Sequence, residues 1–205
     1  MSDSGQFDWL PARKAPPVGR RLFHIFAGSS VPLAGIFAPP TEFLIVLGIL
    51  AMLSLGLDLV RFRVSWLNRY FVTWLAPLLK SDEDRHLTGA TYLLLSAFVA
   101  FLFFSQPVAV LATFFLALGD PAAALAGRPA PGPRFFGKSP VGSTAFVVVS
   151  LLVVGALITA GLVQYHWAYL AGALVAGLVE LTPIPLDDNL TIPLVSGAAM
   201  QLATL

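Results

Sequence analysis

Acidic, basic and hydroxyl side chains crowd into one short segment of an otherwise apolar chain. The segment 119–143 separates two long apolar runs in a protein of which only 11% is charged. It carries one carboxylate, three basic side chains and two hydroxyls, on Asp120, Arg128, Arg134, Lys138, Ser139 and Ser143. Basic groups and hydroxyls suit a polyphosphate, and a carboxylate among them suits its divalent cation. The segment predicts a nucleotide-phosphate site.

A second polar cluster, 182–189, contains Asp187 and Asp188. Together with Asp120 and the basic residues, these acids form the set that magnesium-dependent phosphoryl transfer requires, because carboxylates hold the metal and cations neutralise the transferring group. We therefore predict that Mg²⁺ is held by Asp120, Asp187 and Asp188. The glycines that would let the backbone approach the phosphates are Gly127, Gly137 and Gly142.

The composition indicates that these residues belong to a membrane protein. The chain has 205 residues, 57% of them hydrophobic, and a mean hydropathy of +0.82, which is typical of a polytopic membrane protein. A formal net charge of +1 argues against nucleic acid as the main partner. The absence of cysteine excludes disulfides and thiolate chemistry.

The hydrophobic runs predict an all-α, polytopic membrane bundle of about seven transmembrane helices. A flexible cytoplasmic tail, 1–19, precedes a single transmembrane catalytic domain, 20–205. The predicted spans are 22–38, 43–59, 87–104, 108–118, 145–163, 167–181 and 190–205. Between the second and third spans, aromatic residues recur every four positions over 61–80, which is typical of an amphipathic interfacial helix.

The fourth span is predicted to be interrupted at Gly119-Asp120-Pro121. Proline removes a backbone donor and a carboxylate in lipid needs a partner, so the triplet must line a protein cavity. An ionisable residue within a membrane indicates function, and this interpretation of Asp120 is favoured over a structural cap.

Four further residues are possible accessories to the site, namely Arg21, His24, Arg61 and Glu180. Two of them have a plain alternative, because His24 can snorkel or cap a carbonyl and Arg61 can pair with Asp58 one turn earlier. Glu83, in the charged turn before the third span, is predicted to be a solvated acid at a helix start, and a place in the site is not favoured for it. Taken singly, the basic residues of the 128–138 loop can be ordinary membrane anchors.

The charge distribution predicts the orientation. If the N-terminus is cytoplasmic, the charged loops near residues 20, 61–85, 128–138 and 187–188 all fall on the cytoplasmic face, in agreement with the positive-inside rule. The predicted active site then lies on that face.

Three stretches resemble the CTP-dependent lipid-alcohol kinases, the group that includes dolichol, phytol and farnesol kinases and the yeast-type CTP-dependent diacylglycerol kinase. They are Leu118-Gly119-Asp120-Pro121-Ala122-Ala123-Ala124-Leu125-Ala126-Gly127-Arg128, Gly137-Lys138-Ser139-Pro140-Val141-Gly142-Ser143 and Asp188-Asn189-Leu190-Thr191-Ile192-Pro193-Leu194. Arg21 with His24, and Leu87-Thr88-Gly89-Ala90-Thr91-Tyr92, are similar to weaker marks of the same family. The resemblance covers nearly the whole chain from Arg20 onward.

The resemblance implies magnesium-dependent transfer of the γ-phosphate of CTP to the hydroxyl of a lipid alcohol of the polyprenol, dolichol or phytol type, with release of CDP. It implies that Asp120 and Asp188 hold the metal or orient the hydroxyl and that Lys138 acts on the phosphates. The nucleotide-binding residues it implies are Gly119, Gly127, Arg128, Arg134, Gly137, Ser139, Gly142, Ser143 and Asn189. The sequence departs from the family at Val141, where a glutamate is common, and at Pro121, where a small residue is typical.

Two other function classes remain open at this point. A membrane cytidylyltransferase acting on phosphatidate would also use CTP, carboxylates and a Lys-Ser loop, but it would release pyrophosphate. A small cation-coupled transporter would use cavity carboxylates without nucleotide turnover.

Overall fold

The computed structural model describes residues 18–75, 79 and 83–205, and most of them lie in helices. The helices are α1 (Val18–Phe37), α2 (Pro40–Arg63), α3 (Ser65–Leu75), α4 (Gly89–Phe103), α5 (Gln106–Phe114), α6 (Asp120–Gly127), α7 (Pro140–Thr159), α8 (Trp167–Leu181) and α9 (Asp188–Ala203). A π-helical segment, Phe115–Gly119, joins α5 to α6. Within the described ranges there is no strand, only an isolated bridge between Phe135 and Lys138. The all-α prediction is confirmed.

Among the residues that the structure describes, three helices are long and apolar enough to cross a membrane. They are Pro40–Arg63, Gln106–Gly127 and Pro140–Thr159. Arg21–Phe37, Gly89–Phe103 and Trp167–Leu181 are apolar but shorter. These helices indicate a membrane protein, while the seven predicted spans stay a prediction.

The predicted interruption at Gly119-Asp120-Pro121 is wrong. The helix continues from Gln106 to Gly127, and 72% of its most apolar stretch is buried, against 17% for α2. Pro121 is the second residue after the π-helical segment, and the carbonyl to which an N–H at this position would donate in an α-helix, that of Ala117, lies within that segment. The backbone hydrogen bond that proline deletes therefore falls in a turn that already departs from α-helical bonding. Asp120 therefore lies on a continuous central helix.

Helices α1, α4, α7, α8 and α9 pack around this central helix with small residues at the closest contacts. α9 packs on α8 and α4, α7 packs on α6 and α8, and α1 packs on α5. Gly119 lies against the fully buried ring of Phe146, where an added Cβ would be 2.7 Å from Cε2. Such close approach is typical of helix packing in membranes.

The amphipathic helix begins later than predicted. Arg61 and Phe62 belong to α2, which ends where Val64 adopts an extended backbone. The side chains of Trp66, Tyr70 and Trp74 on α3 are exposed, in agreement with an interfacial helix. The rest of the predicted helix includes residues 76–78 and 80, which lie outside the described residues.

The predicted tail, 1–19, overlaps the first helix by two residues. α1 begins at Val18, four residues before the predicted span. The predicted tail otherwise comprises residues 1–17, which lie outside the described part of the chain.

Hydrogen bonds divide the bundle into two ends. At one end the Gln106 amide donates to the Gly35 carbonyl at 2.7 Å, and the Gln201 side chain accepts from the Ser105 amide at 2.7 Å. At the other end lie Arg61, Lys138 and the start of α9. The charged loops of the sequence therefore share one end of the molecule.

Candidate active site

A tight turn holds Lys138 at the start of the site. The backbone N–H of Phe135 donates to the Lys138 carbonyl at 2.9 Å, and the Lys138 N–H donates to the Phe135 carbonyl at 2.9 Å. The two residues between them, Phe136 and Gly137, have φ values of 52° and 85°, as in a type I′ turn. Gly137 is thus required by the backbone of the turn, since L-residues other than glycine rarely adopt that φ.

Lys138 joins segments that are far apart in sequence. Its Nζ lies 2.9 Å from Oδ2 of Asp188, which is 50 residues away. The same Nζ donates to the backbone carbonyl of Glu180 and lies 3.9 Å from Glu180 Oε1. The ammonium group therefore lies where the C-terminal end of α8 meets the first residue of α9.

Glu180 is more central than the sequence indicated. It is buried, and its Oε2 accepts a hydrogen bond of 2.7 Å from the Ser143 hydroxyl on α7. A carboxylate buried at the end of an apolar helix needs such partners. In the sequence, Glu180 stood out only as the single acid at the end of the apolar run Trp167–Leu181. Its contacts with Ser143 and Lys138 explain why an acid lies there.

The carboxylate of Asp188 is close to other acids. Burial raises the pKa of Asp188, and the charges of Asp120 and Asp187 raise it further, while the hydrogen bond and charge of Lys138 lower this pKa. Asp120, half-buried at the start of α6, is therefore within electrostatic range of Asp188. The structure brings together the two acids that the sequence placed in the site.

The predicted three-carboxylate magnesium site is not formed as a cluster. Among the described residues no three acidic or histidine side chains are grouped as metal ligands. Asp187 instead accepts the Asn189 N–H at 2.9 Å and caps α9, because a helix start leaves such donors unpaired. Mg²⁺ commonly uses only one or two carboxylates, together with substrate phosphates and water. A site of that kind needs no acids beyond Asp120 and Asp188, and their role as metal ligands stays a prediction.

Two of the predicted nucleotide-binding glycines, one from each of the first two family-like stretches, lie at a helix crossing. An added Cβ on Gly127 would lie 3.0 Å from the Gly142 Cα, and one on Gly142 would lie 2.8 Å from the Ala123 carbonyl oxygen. Ser139, buried at the start of α7, lies in the same contact. These residues set how closely α6 approaches α7, a packing role that the sequence did not indicate.

The two arginines of the loop are exposed. Arg134 donates to the Gly127 and Arg128 carbonyls at 3.4 and 3.3 Å, so it lies at the C-terminal end of α6, where a cation favours the helix dipole. Arg128 is exposed beside it. Neither contacts a carboxylate of the described residues, and their role in nucleotide binding stays a prediction.

Asn189 directs its side chain away from Lys138, toward α4. An added Cβ on Gly89 would lie 2.8 Å from Asn189 Nδ2. The Ser96 hydroxyl donates to the Asn189 carbonyl at 2.6 Å, which ties α4 to the start of α9. Glu83, which sequence reasoning did not favour, is buried here and accepts the Gly89 N–H at 2.7 Å. In the sequence, Glu83 stood out only as an acid that precedes the start of a helix.

The accessory residues separate into two groups. His24 lines a cavity that Glu83 and Asn189 also line, and Arg21 is half-buried one turn before it on α1.

Arg61 lies apart from that cavity. It is fully buried, donates to Asp58 Oδ1 at 2.6 Å and stacks on the ring of Phe71 at 4.7 Å. The ion pair that the sequence offered as the alternative for Arg61 is present.

Asp58 connects that ion pair to α4. Its Oδ2 accepts hydrogen bonds from the Thr88 N–H at 2.8 Å and the Thr91 hydroxyl at 2.7 Å. Arg61 also donates to the His86 carbonyl at 2.8 Å and to the Asn68 side chain at 2.8 Å. The network fixes the start of α4, and with it Gly89, against α2 and α3.

Comparisons with known proteins identify a distant relative. An uncharacterized protein of Rickettsia prowazekii (strain Madrid E) is 24% identical over 183 residues, which cover 85% of this chain and 88% of that protein. No family model matches the chain, and no solved structure matches it.

Proposed function

We propose that this protein transfers the γ-phosphate of CTP to the hydroxyl of a lipid alcohol of the polyprenol, dolichol or phytol type. The observation that carries the proposal is the 2.9 Å contact between Lys138 and Asp188. It joins the two motifs on which the resemblance to the CTP-dependent lipid-alcohol kinases rests, with Asp120 nearby. A cation among carboxylates at the end of an apolar bundle suits phosphoryl transfer to a membrane-bound acceptor.

In the proposed reaction the alcohol oxygen forms a bond to the γ-phosphorus while the bond from that phosphorus to the β,γ-bridging oxygen breaks. CDP leaves, and the hydroxyl proton passes to a carboxylate at the charged end of the bundle. Lys138 exchanges its pairing with Asp188 for the negative charge of the phosphates, which neutralises the transferring group. Glu180 and Ser143 hold the neighbouring end of α8 against α7, so the ammonium group keeps its position.

Asp188 and Asp120 would hold Mg²⁺, which when bound neutralises phosphate charge and orients the triphosphate. Asp187 holds the first turn of α9 through its bond to the Asn189 N–H. Because that bond fixes the helix start, it also fixes the direction of the Asp188 side chain. The proposal places this site on the cytoplasmic face with the N-terminus.

The test is an assay of the purified protein in detergent with Mg²⁺ and γ-labelled CTP or ATP. The acceptors are phytol, geranylgeraniol, a polyprenol and diacylglycerol. We expect label in one alcohol, from CTP, with CDP as the other product. Pyrophosphate release from CTP with phosphatidate would instead indicate a cytidylyltransferase, and cation flux in proteoliposomes without nucleotide turnover would indicate a transporter.

Asp120→Asn is the matched variant for this assay. The substitution keeps size and hydrogen bonding but removes the charge that would hold the metal, so we expect transfer to be abolished while the protein stays folded in detergent. Full activity of Asp120→Asn would contradict the proposed site.

A further inference from the structure

A cavity of about 430 Å³ lies between α1, α3 and α4, next to the start of α9. Its walls are mainly apolar and include Phe23, Ala27, Phe71 and Leu93. Phe23 and Leu50 on its rim are also 51% and 47% exposed, so the cavity reaches the outer surface of the bundle. In a membrane, a long hydrocarbon chain inside it can continue into the lipid.

The inner end of the cavity is polar. Glu83, Gly89 and Asn189 all line it. The point where Gly89 would carry a Cβ is 2.8 Å from Asn189 Nδ2 and 3.2 Å from Glu83 Oε1, so these two atoms lie no farther apart than the sum of those distances. One hydroxyl oxygen bridges such a gap with two hydrogen bonds of about 2.7–3.2 Å, accepting from the amide and donating to the carboxylate.

This polar end adjoins the charged cluster. Asn189 follows Asp188, so their Cα atoms are about 3.8 Å apart, and their side chains reach different partners. Asp188 meets Lys138, whereas Asn189 meets Gly89. The first turn of α9 therefore lies between the cavity and the cluster proposed to bind phosphate.

We propose that this cavity binds the acceptor alcohol, with its hydrocarbon chain along α1 and α4 and its hydroxyl between Asn189 and Glu83. The assignment as acceptor site rests on the proposed phosphotransfer. The pair of polar groups selects the ligand class. A hydrocarbon without hydroxyl makes no hydrogen bond with either group, and a fatty acid or a phosphate monoester brings a negative charge close to Glu83.

The experiment measures binding without nucleotide. A long-chain alcohol that carries a diazirine is photo-crosslinked to the purified full-length protein in detergent, and the sites are mapped by mass spectrometry. Unlabelled geranylgeraniol, the hydrocarbon of the same chain length and the corresponding carboxylic acid serve as competitors. We expect crosslinks on α1 and α4 and competition by the alcohol at concentrations at least tenfold lower than by the other two.

Two phenylalanine substitutions on α1 locate the site. Ala27→Phe fills the cavity and should reduce the crosslink at least tenfold. Ala34→Phe is the control, because Ala34 is exposed two turns farther along the same helix and does not line the cavity. Asn189→Leu tests the hydroxyl contact, and it should remove the preference for alcohol over hydrocarbon.

The outcomes separate this inference from the proposed function. An equal crosslink in Ala27→Phe and Ala34→Phe overturns the site, even if the protein transfers phosphate to an alcohol. Loss of the crosslink in Ala27→Phe alone supports the alcohol site. If phosphate transfer is then absent with every donor and acceptor, the acceptor role is overturned together with the proposed function.

Discussion

The position of Lys138 depends on residues that are distant in sequence. Its ammonium group contacts the Asp188 carboxylate at 2.9 Å and the Glu180 carbonyl, while the turn at Phe136-Gly137 fixes its backbone. A lysine in a loop that is otherwise rich in proline would gain little from a single exposed ion pair. Here several contacts hold the Lys138 side chain in one place, so a substitution at this residue tests its role.

We expect Lys138→Met to lower the rate of phosphate transfer by about 100- to 1,000-fold, because one charged donor to the transferring group is lost. The assay is the labelled-CTP measurement, with size-exclusion chromatography to verify folding. His166→Ala is the control. His166 caps α8 by accepting the Ala168 N–H at 3.2 Å, so this variant loses about 0.5–2 kcal/mol of stability and keeps its activity. Unchanged transfer in Lys138→Met would contradict the proposed role.

A serine pair on α7 tests the burial of Glu180. Ser143→Ala removes the hydrogen-bond donor to Glu180 Oε2, and we expect a loss of about 1–3 kcal/mol in the free energy of unfolding. The Ser150 hydroxyl is also buried on α7 but has no hydrogen-bond partner within the described structure. Ser150→Ala should therefore be neutral or stabilising. Equal melting temperatures of the two variants would show that the Ser143 contact is not made.

At the scale of elements, close contact between α6 and α7 brings the first two of the family-like stretches together. Gly127 and Gly142 face each other there. The sequence assigned these glycines to phosphate binding, since glycine-rich loops commonly do that. Their contact with each other depends on the crossing of two helices, which no local pattern encodes.

This crossing predicts different effects for two glycines on one helix. In Gly142→Ala the new Cβ would lie 2.8 Å from a backbone oxygen, so the helices must separate, and we expect lower melting temperature and reduced transfer. In Gly155→Ala the Cβ would meet no described heavy atom within 4 Å, and the variant should gain up to about 1 kcal/mol of stability. Thermal unfolding in detergent measures both. A Gly142→Ala variant as stable as Gly155→Ala would refute the close contact.

The helices themselves were largely predictable from hydrophobic runs, and α8 has the predicted bounds. The errors occurred where tertiary packing overrides local signals. Pro121 was expected to end a helix, but the π-helical turn before it accommodates the proline in the core. Arg61 was expected to start an interfacial helix, but its ion pair with Asp58 keeps it in α2. Glu83 was underestimated because its contact with Gly89 depends on the turn before α4.

For the whole molecule, the hydrogen bonds place the charged loops at one end and residues such as Gln106 and Gln201 at the other. The sequence predicted this segregation from its charges alone. It did not predict that the charged end contains two separate polar groups, one around Lys138 and one around Arg61. Their separation follows from helix packing.

The two ends can be assigned to membrane faces by labelling, because the chain has no cysteine. Pro131→Cys places a thiol on the exposed loop before Lys138, and Gln164→Cys places one on the exposed turn before α8. With a membrane-impermeant maleimide on intact cells, we expect labelling of position 164 and protection of position 131 until the cells are opened. The reverse pattern would contradict the predicted orientation.

The π-helical segment sets the rotational phase of everything that follows it. Each residue of an α-helix turns the chain by about 100°, and a π-helical turn accommodates one extra residue. If residues 115–119 were wound as a regular α-helix with no change in sequence, the chain from Asp120 onward would be rotated by about 100° relative to α5. The Asp120 carboxylate would then be turned about a quarter-turn from its present direction, although the motif that contains it is unchanged. Loop length and motif identity are thus insufficient to define this candidate site, since its geometry depends on the one extra residue in the π-helical turn of a buried helix.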